Sequence, residues 1–376
     1  MTIVYEELGA ISRIKEILER EKPASILLVR GNASYETSGA KRLVEPQLSG
    51  YNVTFLSGFS MYPSLDDVQR AIDVIKEKEI DFIIAIGGGT VMDVAKSASI
   101  LYNGQDLIEN YVTGKQKLQG VNIKRILIPT NAGTGAEITP YSSIYIGKMK
   151  YSLAYSTMVP DYVILAPELT YNLTPRLTAE IGYDALAQAI EGFWSANATD
   201  ESKKYSSESI PLILDNLNKA VNNPTPESRR AMLIGSHLAG KSIAIAKTTA
   251  AHAISHTIMT YFNIPHGHAV LLTLPYFFPI NEDVTRENVH ENLTLEYAKK
   301  TFNELLSLLR VRNGEEARDM LLKLADEIHL ERKLSSFGVK EKDVEAVIDE
   351  GFNPKIGNNP VKVTKDMVGN ILKNLI

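Results

Sequence analysis

Residues 81–99 read DFIIAIGGGTVMDVAKSAS, an unbroken apolar run closed by three glycines and followed by apolar residues at helical spacing. A short run without alternation is the pattern of a parallel strand buried on both faces. Val91, Val94 and Ala95 then mark the apolar face of a helix that begins near Thr90. Gly87, Gly88 and Gly89 let the backbone approach a ligand closely, and the helix aims its free N–H groups and positive dipole end at the same spot. Strand, turn and helix together make a cradle for pyrophosphate. The spacing is neither G-x-G-x-x-G nor a P-loop, so a second signal is needed.

Working outward, ASILLVRG (24–31), YNVTFLSG (51–58), RILIPT (125–130) and YVILAP (162–167) read as further strands. SLDDVQRAIDVIKEKEI (64–80) reads as a helix with Ser64 as N-cap, and SSIYIGKMKYSLAY (142–155) as a hairpin. Alternating strands and helices imply right-handed crossovers and a parallel sheet. The N-terminal stretch, MTIVYEELGAISRIKEILER, reads as a charged first helix without a signal peptide. Beyond TYNLTPR (170–176) strand-like runs stop and helical spacing takes over. The expected fold is thus an α/β dinucleotide-binding domain over 1–173, with a Rossmann-like parallel sheet, and an all-α domain over 174–376. The run VKEKDVEA (339–346) reads as a solvated helix face.

A composition of 44% apolar and 23% charged residues with net charge −5 describes an ordinary globular protein, with no footprint of a nucleic-acid or membrane partner. The chain has no cysteine, which excludes disulfides, thiolate metal sites and a Cys nucleophile and suits a cytoplasmic setting. Any metal must then rest on His, Asp, Glu or amide oxygen.

The second signal is IPTNAGTGAEITPYSS (128–143), a Gly- and Thr-rich loop at the next strand end. Two such loops at carboxyl ends of parallel strands would share one crevice, with Thr130, Asn131, Thr134 and Thr139 as partners for ribose, phosphate or carboxamide. In the helical half, KTTAAHAISHTIMTYFNIPHGHAV (247–270) carries His252 and His256 on one helix face, followed by His266. YDALAQAIEGFW (183–194) repeats the four-residue spacing with Asp184 and Gln188. A carboxylate and imidazoles sharing a site suit Zn2+ or Fe2+.

These motifs resemble the iron-containing (group III) alcohol dehydrogenase family over essentially the whole chain. GGGTVMDVAK is similar to the family's G-G-G-S-x-x-D-x-x-K and PTNAGTGAE to P-T-x-x-G-T-G-S-E. YDALAQAIE is similar to G-x-D-A-x-x-H-x-x-E, and HAISHTIMTYFNIPHGHAV to H-x-x-x-H followed by P-H-G, with NNP (358–360) as a C-terminal match. The resemblance implies the architecture shared with dehydroquinate synthases and a cleft for NAD(P), metal and substrate. It implies cofactor contacts at Gly31, Gly87, Gly88, Gly89, Thr90, Asp93, Thr130, Asn131, Thr134, Thr139, Ser143 and Lys150. The implied metal ligands are Asp184, Gln188, His252 and His266, with His256 as proton relay. It also implies hydride transfer between nicotinamide and a small aldehyde or primary alcohol, in a homo-oligomer of two or more chains.

Three departures modify the expectation. Gln188 replaces the family's His ligand, which predicts a weaker metal site. Gly31 replaces the acid found in many NAD-using members, so NADP is at least tolerated, with Arg30, Asn32 and Ser34 nearby. Tyr62-Pro63 replaces the usual Asn-Pro. Gln188 with KTTAAHAIS and HGHAV resembles the phosphonoacetaldehyde reductase branch, for whose anionic substrate Lys247, Thr248 and Thr249 offer a cation and hydroxyls. The alternatives are a butanol-type dehydrogenase, an NAD-using metal-dependent lyase of the dehydroquinate synthase type, and a silent nucleotide binder.

Overall fold

The structure is a computed structural model that describes residues 2–118, 122–147, 149–352 and 354–376. Two compact units emerge, one of residues 1–131 with 135–173, the other of 132–134 with 174–376.

The first unit is built on six parallel strands. They are β1 (Ile3–Tyr5), β2 (Ile26–Arg30), β3 (Val53–Leu56), β4 (Phe82–Gly87), β5 (Lys124–Pro129) and β8 (Tyr162–Ile164), in the order β1-β8-β5-β4-β2-β3. Side chains alternate across a strand. Leu27, Val29, Ile83, Ala85 and Leu127 therefore enter one core, while Ile26, Leu28, Phe82, Ile84, Ile86, Ile126 and Ile128 enter another on the opposite face. Both faces are covered by helices, which is why the central strands read as unbroken apolar runs. β6 (Tyr141–Ile146) and β7 (Met149–Ala154) form the expected antiparallel hairpin. Ser64 caps the helix Leu65–Glu77 in a reciprocal capping box with Asp67.

The N-terminal reading needs correction. Residues 3–5 form β1, paired with β8 through Ile3↔Tyr162, and the helix starts only at Arg13. A three-residue strand at a sheet edge, flanked by charges, has too few residues to show a period.

The second unit is helical. Pro175–Trp194, Asp200–Asn222 and Pro226–Ala246 pack together as long helices, each opened by a threonine cap at Thr174, Thr199 or Thr225. Ala250–Phe262 and the short His266–Leu271 complete the wall that carries the histidines. Among the described residues, no helix is long and apolar enough to cross a membrane.

Candidate active site

The sheet order places the chain reversal between β2 and β4. From β2 the chain goes outward to β3, then returns to the other side of β2 as β4. Open α/β sheets bind ligands at the carboxyl ends of strands beside such a reversal. Gly31 and Gly87 sit at these ends, since Arg30 pairs with Ile86 and Gly31 N–H donates to Ile86 O (3.2 Å). Thr130 joins them from β5, its N–H donating to Gly87 O at 3.0 Å.

Glycine is required at the turn. A Cβ on Gly87 would lie 2.6 Å from Val91, and one on Gly88 would lie 2.8 Å from the Asn131 amide nitrogen. Gly88 is also the N-cap of the helix Gly89–Leu101 and offers no side-chain cap, unlike Ser64, Thr174, Thr199 and Thr225. The first N–H groups of that helix are left to an external acceptor. Thr90 hydroxyl donates to Met61 O (2.9 Å), tying this turn to the segment before Tyr62-Pro63.

Asp93 and Thr139 gather around Lys96, the last residue of the matched GGGTVMDVAK motif, to which the sequence reading gave no role, and Ser143 and Lys150 act on Asp93. Lys96 is fully buried, donates to Ala136 O (2.8 Å), Thr139 Oγ1 (3.2 Å) and Tyr141 O, and pairs with Asp93 at 3.4 Å. Asp93 Oδ2 in turn accepts the Ser143 N–H (2.9 Å), and the Lys150 charge also acts on it. Burial pushes the Lys96 ammonium below the usual lysine range, opposed by the Asp93 charge. Asp93 and Thr139 thus act on the protein, holding the loop that displays Thr130, Asn131 and Ser143. Thr134 lies in the short stretch grouped with the helical unit.

In the helical unit the expected ligands converge. Ligand atoms of Asp184, His252 and His266 all lie within 4.8 Å of one another. His252 Nε2 is 3.1 Å and His266 Nε2 3.7 Å from Asp184 Oδ1. Asp184 and His252 are buried, while the His266 side chain keeps 29% exposure. His256, one turn beyond His252, stacks on His266 with centroids 5.1 Å apart and planes 6° apart. Gly267 explains how the short helix gets so close: a Cβ there would lie 2.0 Å from Glu180 O and 2.9 Å from Asp184 Cβ.

Glu191, which the sequence reading did not single out, completes the arrangement from behind. Its Oε2 holds His252 Nδ1, and its Oε1 accepts from Thr249 Oγ1 (2.6 Å), Ala251 N (3.1 Å) and His252 N (3.4 Å). With Nδ1 engaged, Nε2 faces Asp184. Burial disfavours the charged ring, yet Glu191 and Asp184 outweigh it and push the His252 pKa up to about 9. An imidazole nitrogen facing a carboxylate needs a positive charge between them, a proton or a metal ion. Gln188 is buried one turn from Asp184, donates to Asp184 Oδ2 at 2.9 Å, and leaves its Oε1 buried with no hydrogen-bond partner among the described residues. A carboxylate, two imidazoles and an orphaned amide oxygen fit Zn2+ or Fe2+.

Thr249 does not fit the role expected of it. Its hydroxyl is fully buried, donates to Glu191 and accepts from Trp194 Nε1 (3.1 Å), so it cannot also receive a substrate anion. Lys247 is exposed at the end of the preceding helix, with φ +62°.

One unit carries a glycine turn at the chain reversal of its parallel sheet, and the other a carboxylate–imidazole cluster that could hold a metal ion. The chain belongs to the iron-containing alcohol dehydrogenase family: the family model "Iron-containing alcohol dehydrogenase" matches residues 2–167, and "Fe-containing alcohol dehydrogenase family, C-terminal" matches 178–376. It is therefore an alcohol dehydrogenase in the broad sense, of a family that uses NAD(P) and a divalent metal. It is 29% identical to the sulfoacetaldehyde reductase of Bilophila wadsworthia, with 97% of this chain and 95% of that protein covered. It is 28% identical to the phosphonoacetaldehyde reductase of Streptomyces viridochromogenes, covering 82% and 79%. Among solved structures, the sulfoacetaldehyde reductase of Bifidobacterium kashiwanohense in complex with NAD+ superposes with TM-score 0.90 at 29% identity, covering 100% of this chain and 96% of that one.

Proposed function

We propose that this enzyme reduces a small aldehyde carrying a tetrahedral oxyanion, a sulfonate or phosphonate, to the corresponding alcohol. The observation that carries the reduction chemistry is the convergence of Asp184, His252 and His266, with Glu191 fixing the ring of His252. The anionic substrate class is supported by the two relatives named for acetaldehydes bearing such groups.

In this reading Asp184, His252 and His266 hold the divalent metal, with Gln188 Oε1 within the same buried pocket of donors. When bound, the metal supplies Lewis acidity toward the carbonyl oxygen and the reduced nicotinamide supplies hydride. The free N–H groups at Gly89 and Thr90 receive the pyrophosphate, and Gly31, Gly87, Gly88, Thr130, Asn131, Thr134, Ser143 and Lys150 bound the rest of the cofactor. Asp93 and Thr139 position that wall through Lys96. His256, the most exposed nitrogen donor of helix Ala250–Phe262, passes a proton to the alkoxide oxygen. Cofactor binding is assigned to residues 1–173, and metal and substrate chemistry to 174–376.

Oxidation of NADH and NADPH at 340 nm, followed with sulfoacetaldehyde, phosphonoacetaldehyde and butanal at saturating Zn2+ or Fe2+, tests the reading. Higher kcat/KM for an anionic aldehyde is expected. A preference for butanal returns the enzyme to the short-chain alcohol class, and no net cofactor oxidation with any aldehyde defeats the reductase assignment.

A further inference from the structure

The helix Ala250–Phe262 is not capped by its own N-cap residue. Thr174, Thr199, Thr225, Thr294 and Thr364 each accept a backbone N–H of the helix they open, whereas the side chain of Thr249 makes no such bond. The N–H groups of Ala251 and His252, which a capping side chain would receive, go instead to Glu191 Oε1 at 3.1 and 3.4 Å. A carboxylate from the helix Pro175–Trp194 thus stands at the positive end of the helix that carries His252.

Thr249 turns its hydroxyl to the same oxygen. It donates to Glu191 Oε1 (2.6 Å) and accepts from Trp194 Nε1 (3.1 Å). An indole N–H only donates and an ionised carboxylate only accepts, so the hydroxyl hydrogen has one direction open to it, toward Glu191. Trp194, Thr249 and Glu191 are all buried, and the preceding carbonyl, Thr248 O, is held by Asn358 Nδ2 at 2.9 Å. Three donors therefore fix Oε1 on a well-anchored backbone, and Oε2 faces Nδ1 of His252. The carboxylate also attracts the Lys355 charge.

A hydroxyl that bonded to its own helix would leave Glu191 one donor short and freer to turn. We propose that Thr249, backed by Trp194, is a positioning residue for the metal centre: it fixes the rotation of the Glu191 carboxylate and, through it, the ring of His252. The first turn of the helix and the affinity for a divalent metal are thereby linked through one carboxylate. This rests on the reading of Asp184, His252 and His266 as metal ligands.

The test measures Zn2+ affinity by chelator competition in wild type, Thr249→Val and Thr249→Ser, and in Thr249→Val on a Glu191→Gln background. Circular dichroism and Tm of the metal-free proteins check folding. Loss of a partner behind a metal ligand lowers affinity roughly 10- to 100-fold, and Thr249 lies one bond further out, so Thr249→Val should lose about tenfold. Thr249→Ser keeps the hydroxyl and should stay within about threefold of wild type. Because Thr249 acts through Glu191, Thr249→Val should cost little more once Glu191 is Gln. Trp194→Phe reads the same relay with Thr249 and Glu191 intact, and about a threefold loss is expected. Wild-type affinity in Thr249→Val or in Trp194→Phe overturns the assignment and leaves the metal reading standing. Equal losses in Thr249→Val and Thr249→Ser, or a loss that persists undiminished on the Glu191→Gln background, overturn it in the same way. A wild type that takes up no Zn2+ overturns both.

Discussion

Glu191 Oε2 holds Nδ1 of His252, so the orientation of one expected metal ligand is set by a carboxylate that lies three residues beyond Gln188 on another helix. Carboxylates behind ligating histidines fix the tautomer and raise ligand basicity. Replacing Glu191 with Gln keeps an acceptor but removes the charge. We expect Zn2+ affinity to fall roughly 10- to 100-fold in a chelator competition titration. Unchanged affinity would mean that His252 is oriented by its own packing.

Gln188 offers the opposite experiment. Its amide oxygen is buried and has no hydrogen-bond partner among the described residues, and an imidazole there would restore the family's usual donor. Gln188→His should tighten Zn2+ or Fe2+ binding by on the order of tenfold or more. If the titration shows no gain, position 188 lies outside the coordination sphere.

Close approach at Gly267 predicts a steric failure. With Glu180 O only 2.0 Å from a would-be Cβ and flanked by helix backbone, the short helix must move to admit even a methyl group. Gly267→Ala should cost about 1–3 kcal/mol in urea unfolding and weaken metal binding by displacing His266. Wild-type stability together with wild-type metal affinity would refute this account.

Lys96 tests the support of the cofactor wall separately from its contacts. Lys96→Met removes the cation paired with the part-buried Asp93, on which the Lys150 charge still acts, and takes one donor from the carbonyls of Ala136 and Tyr141. Breaking a buried pair in this way costs about 3–5 kcal/mol. The expected signs are a lower Tm and weaker NAD(P)H binding by fluorescence titration, with Zn2+ affinity in the helical unit retained. A loss of stability without any change in cofactor affinity would limit Lys96 to folding.

Cofactor choice should depend on Arg30. Its guanidinium lies over the Tyr35 ring at 4.9 Å, beside Gly31, and its Nε is buried with no hydrogen-bond partner among the described residues. No acid occupies position 31 to repel a 2′-phosphate, and a Cβ there would meet Ser34 Oγ at 2.0 Å. Arg30→Ala should lower kcat/KM for NADPH about 10- to 100-fold while NADH changes little. Equal effects on both cofactors would assign Arg30 to packing.

Much of the fold was legible because β2, β4 and β5 are buried on both faces and the long helices carry clear apolar spacing and threonine caps. β1 was not, since three residues ahead of a charged helix carry no period. The cluster of Asp184, His252 and His266, which could hold a metal ion, was legible from the four-residue spacings around Asp184 and His252 together with the family resemblance. Glu191 closes the matched motif G-x-D-A-x-x-H-x-x-E but was given no role, because its partner His252 lies 61 residues away on another helix. Thr249 misled for a related reason. Which way a hydroxyl points depends on Trp194 and Glu191, 55 and 58 residues away, and nothing local records that.

The pairing of β1 with β8 has a consequence for how the chain comes off the ribosome. β1 is an edge strand whose sheet neighbour is β8, through Ile3↔Tyr162, Val4↔Val163 and Tyr5↔Ile164. While β2, β3 and β4 can pair as soon as each emerges, β1 has no sheet partner until β8, the last strand of the same sheet, is made. β1 can therefore join the sheet no earlier than β8 does.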